Sequence, residues 1–484
     1  MNRSQWPIVA LIVAAVGSVI FATILVQGGL LVPLALAAVF LSAVLRHLAT
    51  RFAFTLLIVG PVLGSTVQLG SLTLDNYLTL AGIAYGIFGL LDRRPREFPR
   101  WALLPLLVAL SCGVSAVATS AGVPMVMVRF LGVSLIPILA YSATRPELEF
   151  MKKALYATLA LGAGSVLQQP LTHIPAPVIV EEGAEILRFG GLFGHPNFGA
   201  YALGLTVLYL LQSTRLTFLR VAFIALAGAC LLLMGSLTAL VMVVLIASVT
   251  WLKTPGRFAV VVMVATLLTI LLGETLVDRL DYLGSSDQNS LTWRFGHWRE
   301  VLALPNAGGA FGMGWGGVTE LSESGLGAHN AYLQVYAELG WFGTASLVAA
   351  LLVVARELAS RRARPLRTIW AYVLSVSLMD PVLLYPSTIT VLLSVSALHC
   401  ASWDLAGPAV QPPNPRVGGD RWRVRRDLRR APDQSDETSP TTHSYAVQLP
   451  DPQNAEWRHP LIGSAERGGT IQTPGVPDGY LKDG

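Results

Sequence analysis

Apolar runs of about 17–25 residues, the length that crosses a bilayer as a helix, recur from Pro7 to about Leu405 between short polar breaks. A helix satisfies its own backbone hydrogen bonds, so it is the natural form for such runs in lipid. The pattern predicts spans at roughly 7–26, 29–45, 52–68, 72–91, 101–119, 123–143, 154–168, 198–213, 219–234, 237–252, 259–275, 330–355, 367–383 and 387–404. That makes about 14 spans, or 12, because several runs are short. The first run is long for a signal peptide and lacks a small-residue cleavage pattern, so it reads as a retained span. The expected fold class is an all-α polytopic membrane protein: a bundle of about 12–14 helices over 1–405 and a tail over 406–484.

Two polar stretches interrupt this pattern. The connection 276–328 is too polar to span and too long for a plain turn; loops beyond about 12–15 residues usually have a function of their own or no fixed structure. Within it, Leu291 to Leu304 predicts a short amphipathic helix, with Trp298 and Leu302 four residues apart, that can lie in the interface or fold over a cavity. Asn306 and the glycine run Gly308 to Gly317 end that helix. From about Gly407 the chain turns to Pro, Arg, Asp, Ser, Thr and Gly, with a basic cluster from Arg421 to Arg430. That composition predicts a disordered cytoplasmic tail, whose basic cluster can rest on anionic headgroups.

Charge sharpens the picture. Only 13% of residues are charged and 53% are hydrophobic, against about a quarter charged in soluble domains. Lysine and arginine alternate between connections. One set holds Arg46 and Arg51, then Arg93, Arg94, Arg96 and Arg100, and later Arg356 to Arg367; the other holds only Arg188, Arg279, Arg294 and Arg299. The positive-inside rule then puts both termini in the cytoplasm and the two longest polar connections, 169–197 and 276–328, outside. The net charge of +5 follows this topology and asks for no nucleic-acid partner. Cys112, Cys230 and Cys400 lie in apolar spans without disulfide or metal spacing.

Four groups with chemical potential fall on the outer side: Arg188 to Asn197, Arg294 with Trp298, the glycine run, and His329-Asn330 before a long apolar helix. Arg188 and Arg294 sit where the topology rule disfavours cations. A guanidinium stays charged and grips phosphate oxygens through a planar fork, so two can hold a lipid diphosphate. The alternative is pairing with Asp278, Asp281 or Asp287. His329 can accept a proton at neutral pH. Asn330 orients a substrate or caps the following helix. On a helix, His329, Tyr332, Tyr336, Gly340 and Gly343 would share one face, aromatic near the surface and small deeper down. Glu338 falls half a turn away from His329. Arg129 is a third candidate phosphate contact, or the partner of a span-end acid such as Asp75 or Asp380. His195, before Pro196-Asn197, is a second polar group in the site or a helix-start residue. No carboxylate cluster for a hard cation and no phosphate-binding glycine loop with Lys and Ser/Thr is present, so neither a metal nor another cofactor is expected.

The ordered set Arg188…Gly191-Leu192…Pro196-Asn197, Arg294…Trp298, Gly312-x-Gly314 and His329-Asn330…Leu333…Glu338-x-Gly340…Gly343 resembles the O-antigen ligase and polymerase superfamily of bacterial membrane glycosyltransferases. Asp75 in its span also looks like family members. The resemblance implies metal-independent, inverting transfer of a glycan from an undecaprenyl-diphosphate carrier at the outer face of the cytoplasmic membrane, to a glycan or lipid acceptor. By it, Arg188 and Arg294 map onto diphosphate-contacting arginines and His329 onto the essential histidine, with Asn330, Asn197, Trp298, Tyr332 and Arg129 as candidate substrate contacts. Many relatives carry Ser-Arg at a span start where this chain has Gly235-Ser236-Leu237-Thr238, so that contact does not carry over. The rival from another class is a carrier of polysaccharide or lipid-linked sugar; it would be expected to distribute charges through a central cavity and to show repeat symmetry. A catalytically silent assembly partner is the third reading.

Overall fold

The computed structural model describes residues 48–63, 68–69, 72–91, 93, 95–119, 125–174, 178–179, 187–212, 217–251, 266, 291–360 and 362–406. The spans expected at 7–26, 29–45 and nearly all of 259–275, the loop segment 276–290 with its aspartates, and the tail from Gly407 lie outside the described residues. All described residues belong to one compact unit, Met1–Gln411.

Thirteen α-helices occur among the described residues. They are α1 (Ala49–Leu63), α2 (Leu74–Leu91), α3 (Leu103–Ala118), α4 (Met125–Ser142), α5 (Arg145–Thr172), α6 (Pro196–Leu211), α7 (Phe218–Met234), α8 (Leu237–Trp251), α9 (Leu291–Ala303), α10 (Gly317–Leu321), α11 (Ala331–Leu358), α12 (Arg367–Val376) and α13 (Pro386–Ala406). Two antiparallel hairpins of two-residue strands complete the set, β1 (Gln68–Leu69) with β2 (Leu72–Thr73) and β3 (Val178–Ile179) with β4 (Leu187–Arg188).

Five stretches are long and apolar enough to cross a membrane: Leu74–Leu91, Arg100–Ala118, Met125–Ser142, Ala331–Leu358 and Pro386–Leu405; α1, α6, α7 and most of α8 are apolar but shorter. Phe54, Leu57, Ile83, Phe130 and Leu139 of α1, α2 and α4 are fully buried, as is Leu393 of α13. The outward faces are apolar as well: Leu161, Val249 and Leu352 are 62, 66 and 65% exposed. Helices apolar on both faces need a non-aqueous surrounding. The protein is therefore a helical, membrane-embedded protein.

Four elements depart from the periodicity. Helix α1 covers Ala49–Leu63 rather than 52–68, and Gln68 lies in the hairpin that follows. Helix α5 starts at Arg145 rather than 154 because Glu147 secures its first turn: the carboxylate accepts from the Thr144 backbone N–H (2.8 Å) and hydroxyl (2.7 Å) and pairs with Arg93. Helix α12 stops at Val376 instead of running to 383. Pro381 supplies no N–H, and a proline disfavours helical backbone at the residue before it, here Asp380. Helix α11 is broken at Gly340, whose φ/ψ of 66°/−160° favours glycine.

The break in α11 is filled by the glycine loop. Met313 and Gly314 donate backbone N–H groups to the carbonyls of Ala337 and Glu338 (3.1 and 3.0 Å). Trp341 and Phe342 donate to those of Gly309 and Ala310 (3.1 and 3.0 Å). A Cβ on Gly340 would lie 2.1 Å from the Gly309 oxygen, and one on Gly312 would lie 2.4 Å from Glu338 backbone. The two motifs Gly312-x-Gly314 and Glu338-x-Gly340 are thus halves of one backbone clasp. The shared face expected for His329 through Gly343 does not form: His329 precedes the helix with a left-handed φ of 49°, and Gly343 lies beyond the break.

Candidate functional site

The early end of α12 creates the site. The last carbonyls of a helix have no partner within it, and here groups from distant segments take those around the turn that follows. Tyr332 donates its hydroxyl to the Leu374 carbonyl (3.0 Å), and the Ala331 N–H bonds to that of Ser377 (2.9 Å). The Asn330 amide donates to the Leu378 carbonyl (3.0 Å), and Arg294 donates to that of Met379. His329 Nδ1 faces Asp380 Oδ1 at 3.3 Å. A carboxylate only accepts, so Nδ1 carries the proton and Nε2 is left as the basic nitrogen. The other oxygen of Asp380 accepts from the hydroxyl of buried Tyr201. Asp380 is 2% exposed, and these two partners satisfy one interaction at each of its oxygens.

Arg188 joins the same neighbourhood through α6. Its Nε donates to the Met234 carbonyl (2.9 Å) and its Nη2 to Asn197 Oδ1 (2.6 Å). Asn197 and Tyr201 are four residues apart on a helix, so α6 presents the Arg188 contact and the Asp380 contact on one face. The segment leading into α6 is fixed against α5: the Gly191 N–H bonds to Gln169 Oε1 (2.7 Å) and the Leu192 N–H to Ser165 Oγ (2.8 Å). Gly191 has φ 53°, and a Cβ there would meet Ser165 Oγ at 2.4 Å. That close approach is why glycine stands in the Gly191-Leu192 motif.

His195 caps α6, its Nδ1 accepting from the Asn197 N–H at 3.2 Å. Its ring contacts Phe198 (4.9 Å between centroids), which contacts Tyr385 (4.2 Å). Burial lowers the His195 pKa to about 4; Arg188 and His329 push the same way while Asp380 opposes them. His195 is accordingly neutral at pH 7.

The remaining candidates have defined places. Asn330 caps α11, its Oδ1 accepting from the Tyr332 and Leu333 N–H groups (3.0 Å each), so its side chain is occupied at both ends. Trp298 packs edge-on to Phe295, and its buried indole N–H has no hydrogen-bond partner among the described residues. Arg129 belongs to a different cluster. It pairs with Asp75 (2.8 Å) and donates to Asn76 Oδ1 (2.9 Å) and Thr73 Oγ1 (3.1 Å). Neighbouring Phe130 meets Trp315 of the glycine loop edge to face (6.3 Å). Sequence reasoning placed Asp380 among span-end acids without linking it to His329, and gave no role to Tyr201, Tyr385, Trp293 or His297. Trp293 lies 5.7 Å from the His329 ring, edge to face. An acid followed by proline within an apolar run was the available signal, since that run cannot continue as one unbroken helix.

The arrangement offers a basic imidazole nitrogen backed by a carboxylate, a guanidinium on each of two segments, and aromatic surface beside the imidazole. Among the described residues no three His, Cys, Asp or Glu side chains are grouped as metal ligands. No protein-family model matches the sequence, and no curated protein does either.

Proposed function

We propose that the protein is a membrane glycosyltransferase that transfers or polymerises a glycan from an undecaprenyl-diphosphate carrier during cell-surface polysaccharide assembly. The observation that carries this reading is the convergence of His329, Asp380 and Arg294 on one helix-ending turn, with Arg188 reaching it through Asn197 and α6. His329 Nε2 takes the proton of an acceptor hydroxyl as that oxygen attacks the anomeric carbon. The bond from that carbon to the diphosphate oxygen breaks, the linkage inverts, and Arg188 and Arg294 neutralise the charge gathering on the leaving diphosphate. Asp380 keeps the imidazole in the tautomer with a free Nε2 and stabilises the imidazolium that forms.

Arg294 supports this assignment electrostatically. Among the described residues it donates to a neutral carbonyl and pairs with no carboxylate; in this reading its charge serves the arriving diphosphate. The arginines supply the positive charge the leaving group needs, and the reading asks for no metal. Asn197, Asn330 and Tyr332 hold the framework, while Trp298, one turn beyond Arg294 on α9, is the candidate aromatic contact for the sugar. In this reading the protein resides in the cytoplasmic membrane through about 12–14 spans, with both termini inside and the site at the outer face. Its partners are the lipid-linked glycan donor, a glycan or lipid acceptor and the surrounding lipids.

The test is glycan transfer by the purified protein in lipid nanodiscs, with nuclear magnetic resonance of the product's anomeric configuration. The expected result is release of undecaprenyl diphosphate and an inverted linkage. Movement of lipid-linked sugar across vesicles without bond formation would replace the reading with a carrier.

A further inference from the structure

His297 takes no part in the transfer chemistry above, yet it is 3% exposed and fully engaged. It lies on α9, on the turn that follows Arg294. Its Nε2 lies 3.0 Å from the carbonyl of Gly327, in the segment that leads to His329. A carbonyl only accepts, so Nε2 bears a proton. Its Nδ1 lies 2.9 Å from Glu300 Oε2, on the next turn of α9. The second Glu300 oxygen accepts the Glu323 N–H at 2.6 Å. The hydrogen bond from His297 is the main reason the Glu300 carboxyl stays below its usual range. The His297 ring is stacked on Trp293 (5.0 Å, 11° between planes), and both rings lie edge-on to His329, at 6.3 and 5.7 Å.

Two separate bonds therefore tie the segment 323–329 to α9, and both pass through the His297–Glu300 pair. Helix α9 carries Arg294; the segment carries His329. Each group then grips its own neighbour on the turn after α12, Met379 for one and Asp380 for the other. The backbone of the segment gives it little stiffness of its own: Gly325 has φ 65° with open space around it, and Gly327 follows close behind. Without the tie, His329 would be held from its C-terminal side, through Asn330 and Ala331, and by the 3.3 Å contact with Asp380, while the glycine-bearing segment before it would lose both polar links to α9.

We propose that His297, braced by Glu300, is a positioning residue that fixes the separation between the Arg294 guanidinium and the His329 imidazole. The functional half of this inference rests on the transfer reading; the tether itself does not. Two measurements on the full-length protein in nanodiscs separate them. Hydrogen exchange reads the tether: His297→Ala should raise exchange across 322–330 about tenfold or more as the segment opens locally. His297→Gln, which retains a donor near the Nε2 position, should restore most of the protection. Transfer kinetics read the consequence. Per folded molecule, His297→Ala should lower kcat about ten- to a hundredfold, the loss expected of misplaced groups, and leave donor KM within about threefold. His297→Gln should regain most of the lost kcat. Unchanged exchange in His297→Ala would overturn the tether. Unchanged kcat per folded molecule, in an active wild type, would overturn the positioning role. A wild type without transfer activity whose His297→Ala variant still loses protection would sink the transfer reading and leave the tether standing.

Discussion

Arg129 and Arg294 both hold a permanent charge, and among the described residues their partners differ in kind. Arg129 faces its own counter-charge: Asp75, 2% exposed, pairs with its Nη2, and Asn76 and Thr73 accept from its Nε and Nη2. Arg294, among the described residues, is held by a backbone carbonyl, which orients the guanidinium without neutralising it. A buried ion pair is a structural solution, because removing one partner strands the other. A guanidinium whose partner among the described residues is a neutral acceptor is, in the proposed reading, the one that meets the arriving anion.

Activity should show this contrast most strongly. Replacing Arg188 and Arg294 together by alanine should lower transfer about 10⁴-fold, taking each as worth about 10²-fold in leaving-group stabilisation. Arg129→Lys should stay within a few-fold of wild type, and equal losses in both variants would erase the distinction. Stability comes next. Arg129→Ala leaves Asp75 buried and unpaired, at a cost of about 3 kcal/mol, the low end for such a pair because the Arg129 side chain is 24% exposed. Arg294→Ala should cost about 1.5 kcal/mol, the low end for one hydrogen bond from a charged group. Thermal unfolding in one detergent ranks the two, and the reverse order would contradict the contrast.

The clasp at the break in α11 extends the same point, since it is framework built from backbone alone. Gly340→Ala places a side chain in a glycine-favouring conformation against the Gly309 oxygen and should destabilise the protein by about 2–3 kcal/mol. An unchanged melting temperature would show that the clasp does not hold the helix. A smaller change is expected with pH. The folded pKa of His195 is about 4, below its ordinary 6.5, so the unfolded chain takes up its proton first. Stability from this residue is therefore present above about pH 6.5 and is lost as pH falls toward 4. His195→Asn keeps a capping side chain on α6 and should flatten that slope in pH-dependent unfolding; an unaltered slope would assign it to another group.

Much of the helical framework was legible because lipid-length apolar runs leave few alternatives. The observed α2, α4, α6, α7, α8 and α13 fall within two residues of the runs read from hydropathy. What hydropathy hid was polar detail inside those runs. The stop at Val376 depends on Asp380-Pro381, two residues too few to lower a span's average, yet they expose the carbonyls on which the site is built. His329 was legible as a titratable group before a helix, but its left-handed backbone and its pairing with Asp380 depend on contacts across the chain that periodicity does not carry. Arg129 could be read two ways from its depth alone, and its pairing with Asp75 depends on a neighbour that periodicity does not identify.

Whether His329 is the base is decided by the rate at which His329→Ala, purified in nanodiscs, releases undecaprenyl diphosphate from a lipid-linked glycan. The expected rate is about 10²- to 10⁴-fold below wild type, the contribution of a positioned base, with an unfolding temperature close to that of wild type. A variant that turns over donor as fast as wild type would remove the imidazole from the chemistry and the proposed transfer mechanism with it.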